Sequence, residues 1–256
     1  MLFDAIVYGP IHSRRLGISL GINLMPTNAK LCTFDCVYCE CGFNHPVSHP
    51  QLPSRKEVAA ALESVLQAET NTPDVITFSG NGEPTLHPEF EGIIADTCML
   101  RDRYCPQAKV SVLSNSTQLA RPDVLRSLQR CDNRILKLDS AIDRTMRLID
   151  RPVNASLTVR QIIDYLAQFK GDFTLQTCFL RGEVPDGQST AIIDNTTEEE
   201  VQAWYKAVEE LRPKNIMIYV IDRATPVKTL EKISRDQMEA IAAPLREKGY
   251  QISISA

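Results

Sequence analysis

Three closely spaced cysteines are the clearest chemical feature of this sequence. They are Cys32, Cys36 and Cys39 in the run CTFDCVYCECG, which gives the spacing C-x3-C-x2-C. Three thiolates on one short loop can bind three irons of a [4Fe–4S] cube, because soft sulfur ligands suit iron. The fourth iron would then lack a protein ligand, and an open metal position can bind a substrate or cofactor. The spacing therefore favours a cluster that does chemistry over one that only stores electrons.

Other uses of these cysteines fit the spacing less well. A structural zinc site usually has four ligands, often from two separate C-x2-C pairs. This loop has one such pair, although Cys41 or His45 could supply a fourth ligand. A thioredoxin-like C-x-x-C would use Cys36 and Cys39 but would not need Cys32. A zinc-binding module therefore remains the non-enzymatic alternative.

Length, charge and cysteine content limit the classes of protein to consider. A chain of 256 residues that is 43% apolar predicts one α/β domain over residues 1–256. Its 28 Lys and Arg against 32 Asp and Glu make nucleic acid an unfavourable partner. We find no signal-peptide pattern and no run of about 18 apolar residues, so a membrane partner is not expected. Eight cysteines without a secretory signal predict a cytoplasmic protein with reduced thiols.

The elements that must position the cysteine loop are short strands alternating with helices. Capping residues or first-turn prolines mark the starts of several helices, at Ser54, Pro88, Pro122, either Thr196 or Thr197, and Ser234. Alternation of this kind predicts parallel β/α units. Six units and a terminal strand predict an incomplete (β/α)6 TIM-like barrel, with a core over about 17–221 and a C-terminal helix and strand over 222–256. The predicted strands are 17–24, 74–80, 109–115, 134–140, 173–180, 215–221 and 250–255.

Polar motifs follow the first four predicted strands. In barrels of this type the loops at the carboxyl ends of the strands carry the active site. The cysteine loop follows the first strand, SGNGEPT (79–85) the second and SNST (114–117) the third, while Lys137 and Asp139 end the fourth. Glu83 could bind an amino group there. We therefore expect these motifs to converge on one rim.

Each motif also has a purely structural interpretation. Gly80–Gly82 could form an ordinary turn. Ser114 and Asn115 could cap a turn or helix. Lys137 and Asp139 lie two apart on a strand and so share a face, where they could form an inward salt bridge instead of binding a ligand.

The motifs together resemble the radical S-adenosylmethionine (SAM) superfamily. The resemblance is carried by C-x3-C-x-aromatic-C followed by a G-x-G-E-P-like run on a β/α chain of this size. More narrowly, YGPIHSRRLGISLGINLMP, SGNGEPTLHPEF, KLDS and YVIDRATP look like the small Fe–S oxidoreductase or wyosine-synthetase-like branch.

The resemblance implies a set of cofactor contacts. The three cysteines would hold a [4Fe–4S] cluster whose free iron chelates the amino and carboxylate groups of SAM. Asn81 departs from the family pattern, which more often has glycine there. Matching positions place Tyr38 beside the adenine, Asn81, Gly82, Glu83 and Pro84 at the methionine amino group, and Ser114 and Asn115 at the ribose. Lys137 and Asp139 are catalytic candidates for a different reason, namely their shared face and their position at the rim.

The resemblance also implies a reaction. Reductive cleavage of SAM would give a 5′-deoxyadenosyl radical that abstracts hydrogen from an unidentified substrate, with electrons from an external low-potential donor of flavodoxin or ferredoxin type. Two alternatives within this chemistry are a glycyl-radical-type activase acting on a protein and a wyosine-like tRNA modification enzyme. The acidic balance disfavours the latter, although Arg14, Arg15, Arg151 and Arg223 could form a local anion site. The scattered remaining cysteines are expected to be free core or surface thiols: Cys41, Cys98, Cys105, Cys131 and Cys178.

Overall fold

The computed structural model describes residues 2–13, 16–46, 48–68 and 72–256. Two compact units divide the chain. The first comprises the residues up to Cys32 together with Asn44–Ile135, and the second comprises Thr33–Phe43 with Leu136–Ala256. The predicted single-domain organisation stays a prediction.

Parallel strands form the sheet of the first unit. Strand β2 pairs in parallel with β3, and β3 with β4, in a register that aligns Ile22 with Phe78 and Phe78 with Val112. All four residues of β3 are buried, as expected for a parallel strand covered on both faces. An antiparallel strand, β1, pairs with β2. The strands are β1 (Val7–Ser13), β2 (Gly17–Ile22), β3 (Val75–Phe78) and β4 (Lys109–Ser114), and β4 neighbours β5 (Asn133–Lys137).

Local sequence signals begin the helices of the first unit where predicted. Ser54 and Glu57 form a capping box, in which the Ser54 N–H donates to Glu57 Oε2 at 2.7 Å. The ring of Phe90 packs edge-on against Phe78 at 6.1 Å between centroids, which joins helix to sheet. The helices are α1 (Arg55–Ala68), α2 (Phe90–Tyr104) and α3 (Pro122–Arg130), with a short 3-10 helix over Pro84–Leu86.

The second unit continues the alternation of parallel strands and helices. Trp204 lies in its core, edge-on to Phe179 at 5.3 Å, and its indole N–H donates to Thr177 Oγ1 at 3.0 Å. The strands follow β5 in the order β6 (Thr174–Cys178), β9 (Asn215–Tyr219) and β11 (Ile252–Ser255). The helices are α4 (Asp143–Asp150), α5 (Val159–Ala167), α6 (Glu198–Leu211) and α7 (Arg235–Glu247).

Three features of the fold were not predicted. Strand β1 and helix α4 are additional elements. The run 173–180 contains all of β6 and the first residue of a further strand, because the chain leaves the parallel sheet after Cys178. That departure leads into a three-stranded antiparallel sheet with the order β10-β7-β8. Its strands are β7 (Leu180–Asp186), β8 (Ser189–Asp194) and β10 (Leu230–Lys232). No helix in the described parts of the chain combines the length and apolar character that a membrane span requires.

Candidate active site

The loop after β3 is held against the backbone that precedes Cys32. The Leu31 N–H donates to Asn81 O at 2.9 Å, and the Glu83 N–H donates to Leu31 O at 3.0 Å. Gly82 lies between these bonds with φ of +148°, and a Cβ there would lie 1.8 Å from Leu31 O. The glycine therefore permits a close approach between this loop and the backbone at Leu31.

Glu83 is 2% exposed and receives four hydrogen bonds. Its Oε1 accepts from the Thr85 N–H at 3.1 Å, the Thr85 hydroxyl at 2.5 Å and the Ser114 hydroxyl at 2.9 Å. Its Oε2 accepts from the Asn115 N–H at 2.7 Å. Burial raises the pKa of this carboxyl, although the hydrogen bonds favour its ionised form. Since each carboxylate oxygen offers about two acceptor sites, Oε2 is the atom that retains a site for an outside donor.

Asn115 connects this carboxylate to the first cysteine. While its N–H donates to Glu83, its side-chain Nδ2 donates to Cys32 Sγ at 3.5 Å. The N–H and hydroxyl of Thr117 donate to Asn115 Oδ1 at 3.1 and 2.8 Å, so the amide is oriented with its NH2 group toward the sulfur. The first unit thus brings together four of the predicted site residues, Cys32, Glu83, Ser114 and Asn115.

Asn81 has a structural role that its position in the motif did not reveal. Its side chain is fully buried and donates to Phe3 O and Pro26 O, each at 2.8 Å, while its Oδ1 accepts from the Phe3 N–H at 2.8 Å. The Phe3 ring in turn stacks on Tyr8 at 3.7 Å. The asparagine side chain therefore joins the N-terminal segment to the loop. Because that side chain is engaged within the protein, position 81 can contact a cofactor through its backbone groups. Pro84, also predicted as a contact, is buried at the start of the 3-10 helix.

Within the second unit, Lys137 contacts Cys36, the second cysteine of the motif. Its Nζ lies 2.9 Å from Cys36 Sγ, 2.5 Å from Asp150 Oδ1 and 3.0 Å from Asp139 Oδ2. Burial would lower the pKa of this ammonium, but Asp139 and Asp150 outweigh that effect and hold its pKa well above its usual range. The predicted pair of Lys137 and Asp139 is therefore a buried ion pair that also reaches a cluster-motif sulfur.

Asp139 is held by partners from two directions. Its Oδ1 accepts from the Cys178 N–H at 2.8 Å, and the Tyr38 hydroxyl donates to its other oxygen. Tyr219 donates in turn to the Tyr38 hydroxyl at 3.4 Å. Burial, together with Asp139, raises the pKa of Tyr38 well above its usual range, so the phenol is a hydrogen-bond donor here.

Asp150 is the site residue that the sequence reasoning missed. It ends α4 and is 2% exposed, and burial raises its pKa to about 7 even though Lys137 acts in the opposite direction. The helix itself could have been found, because Met146 and Ile149 are buried at helical spacing. Its carboxylate could not have been assigned to Lys137, since that contact depends on packing.

The five cysteines outside the motif differ in burial, and their assignment as core or surface thiols stays a prediction. Burial raises the pKa of Cys98, Cys105 and Cys131, which makes these thiols poor nucleophiles. Cys41 and Cys98 are partly exposed, whereas Cys105, Cys131 and Cys178 are buried.

The local anion site stays a prediction, and two of its four arginines have other contacts in the structure. Arg151 donates to Pro185 O at 2.5 Å and lies 5.4 Å from the centre of the Phe43 ring. Arg223 pairs with Glu40 at 2.8 Å. The other two members, at positions 14 and 15, lie outside the described residues.

The cysteines have the donor chemistry of an iron–sulfur site. Within the described residues, no three His, Cys, Asp or Glu side chains are grouped to bind one metal ion. The cysteines of a [4Fe–4S] cube bind different irons, so their sulfurs need not meet at one ion. Cys32 and Cys36 each have an N–H donor directed at sulfur, an arrangement that stabilises thiolate ligands. The residues therefore fit such a cluster.

Comparison with known proteins gives one family match and several similar chains. A sequence profile of the radical SAM superfamily matches residues 29–190. The chain is 29% identical over 238 residues to a protein named GTPase Obg from Brachyspira hyodysenteriae, covering 91% of this chain and 32% of that one. It is 25% identical over 236 residues to a UPF0026 protein from Helicobacter pylori, covering 91% of this chain and 71% of that one.

A solved structure shares the fold. It is SuiB from Streptococcus suis bound to S-adenosylmethionine, with a TM-score of 0.64 and 12% identity over 89% of this chain and 49% of SuiB. The chain thus spans about half of SuiB and about a third of the Brachyspira protein. The predicted fold class, α/β with parallel strands in an incomplete (β/α)6 barrel, is confirmed.

Proposed function

Because the chain belongs to the radical SAM superfamily, enzymes that use a [4Fe–4S] cluster and S-adenosylmethionine, we propose that Cys32, Cys36 and Cys39 bind that cluster. With these three ligands the cluster would keep one iron open to the amino and carboxylate groups of SAM. When bound, the two cofactors supply reductive cleavage of the sulfonium and a 5′-deoxyadenosyl radical that takes a hydrogen atom from the substrate. The electron comes from an external low-potential donor of flavodoxin or ferredoxin type.

The observation that carries this proposal is the pair of N–H donors on motif sulfurs. Asn115 Nδ2 lies 3.5 Å from Cys32 Sγ, and Lys137 Nζ lies 2.9 Å from Cys36 Sγ. A neutral thiol gains little from such donors, whereas a thiolate that binds metal is stabilised by them.

The surrounding residues have distinct roles in this proposal. Glu83 offers Oε2 to the SAM ammonium and is held in place by Ser114 and Asn115. Tyr38 contributes its ring beside the adenine while its hydroxyl stays on Asp139. The proposal includes a reducing compartment such as the cytoplasm, because eight cysteines in a cluster-binding chain must stay reduced.

The test is anaerobic reconstitution of wild type and single cysteine variants. We expect about four irons and four sulfides per chain, and 5′-deoxyadenosine formation with dithionite and SAM. Alanine at Cys32, Cys36 or Cys39 should abolish both cluster and cleavage, whereas Cys41→Ala, the control, should retain both. If Cys41→Ala loses iron as completely as Cys36→Ala, the cluster has four protein ligands and the proposal fails. One zinc per chain would support the zinc-binding module instead.

A further inference from the structure

Lys137 is a buried ammonium with three acceptors. Its side chain is 9% exposed, and Nζ lies within 3.0 Å of Cys36 Sγ, Asp150 Oδ1 and Asp139 Oδ2. An ammonium has three N–H donors, so each can go to one of these atoms. The rings of Phe34 and Tyr38 lie 5.1 and 5.0 Å from Nζ and surround the charge with aromatic surface. The ammonium is therefore a positive charge that is fixed in position, with its N–H bonds directed at these three atoms.

The two carboxylates differ in how much else holds them. Asp139 also accepts from the Tyr38 hydroxyl and the Cys178 N–H, so it is anchored without the lysine. Asp150 Oδ1 lies 2.5 Å from Nζ, which makes this ion pair shorter than the one between Lys137 and Asp139. Together they hold the ammonium where its third hydrogen points at the Cys36 sulfur.

Hydrogen bonds and charges at cluster sulfurs set the potential of an iron–sulfur centre. Reduction adds one electron and no proton to the cluster, so a fixed positive charge beside a ligating sulfur favours the reduced state. A nearby carboxylate has the opposite effect.

We propose that Lys137 is a positioning residue that donates to the Cys36 thiolate and raises the midpoint potential of the cluster, with Asp150 opposing it. The proposal rests on the proposed function, since it requires Cys36 to be a cluster ligand. It assigns Lys137 a role in cluster electronics in place of direct contact with substrate.

The experiment is an anaerobic redox titration of the reconstituted protein, without SAM, using a low-potential one-electron reductant and following the reduced cluster by EPR. Lys137→Met should make the reduction equilibrium about tenfold less favourable, which is 59 mV more negative for a one-electron couple. At a pH well above the raised pKa of Asp150, where its carboxyl is ionised, the isosteric Asp150→Asn should shift the potential in the positive direction. Lys206→Met, at an exposed position on α6, is the control and should leave it unchanged.

Opposite signs separate an electrostatic role from loosened packing, which would move both site variants the same way. An unchanged potential in a Lys137→Met protein with full iron content overturns the proposal, as does a shift of the same sign in both variants. If Lys137→Met does not retain its cluster, Asp150→Asn decides, and an unchanged potential there overturns it. Iron and sulfide content of wild type and Cys36→Ala tests the proposed function separately, because that result does not depend on Lys137.

Discussion

Glu83→Gln tests the arrangement around the buried carboxylate. The substitution replaces one acceptor oxygen with an NH2 group, and the less disruptive orientation directs that group at the Asn115 N–H, which now donates to Oε2 at 2.7 Å. One charge-assisted hydrogen bond, worth about 1.5–3 kcal/mol, is lost, and a buried N–H is left unsatisfied at about 1–3 kcal/mol. Easier burial of the neutral amide offsets part of this, because the pKa of Glu83 is raised. We expect a net loss of about 2–4 kcal/mol in the free energy of unfolding.

The measurements are anaerobic thermal denaturation and calorimetric SAM binding. For a chain of this size the loss corresponds to a decrease in Tm of roughly 5–15 °C. SAM affinity should fall about tenfold or more if Oε2 receives the cofactor ammonium. Glu91→Gln, at an exposed carboxylate paired with Arg126, is the control and should change neither quantity. A Glu83→Gln protein that melts and binds SAM like wild type would refute the reasoning for both roles.

Two further predictions concern the same loop region. Burial lowers the pKa of His87, whose neutral ring accepts from the Glu89 N–H at 3.1 Å. The stability that the neutral ring contributes is complete above the ordinary histidine pKa of about 6.5, and it is lost as the pH falls through the lowered pKa. Melting curves from pH 8 to 5 should therefore fall more steeply for wild type than for His87→Gln, and parallel curves would contradict this. Gly82→Ala should abolish SAM binding and lower Tm sharply, because its Cβ would lie 1.8 Å from Leu31 O. The control is Gly187→Ala, which is also at positive φ but has no atom within 4 Å of the added Cβ, and its Tm should decrease only slightly. Equal effects of the two substitutions would exclude the clash as the cause.

Features with local causes could be predicted from the sequence. The Ser54 and Glu57 capping box and the proline at position 122 begin helices where expected, because these signals act within one turn. The parallel strands were identifiable for the same reason, since short apolar runs bounded by turn residues suffice to indicate them. Spacing alone likewise indicated a cysteine motif, and that motif lies within the residues that the family profile matches.

Features that depend on tertiary packing could not be predicted. Lys137 and Asp139 share a face of one strand. Nothing near them in sequence indicates that Asp150 also pairs with Lys137, or that the Lys137 ammonium donates to Cys36. Strand β1 was missed because Gly9 and Pro10 interrupt its apolar pattern. Without that strand, Asn81 could be seen only as a departure from a glycine-rich motif.

The contacts of Asn81 make the N-terminal segment a support of the proposed cofactor loop. Trimming the residues around Phe3 would leave a buried amide with one unsatisfied donor and one unsatisfied acceptor inside the loop, because only the bond to Pro26 O would remain. Damage at the N-terminus would then present as a weakened cofactor site, with the cysteine motif itself intact. A preparation that loads its cluster but binds SAM poorly should therefore first be checked for proteolytic loss of the segment around Phe3.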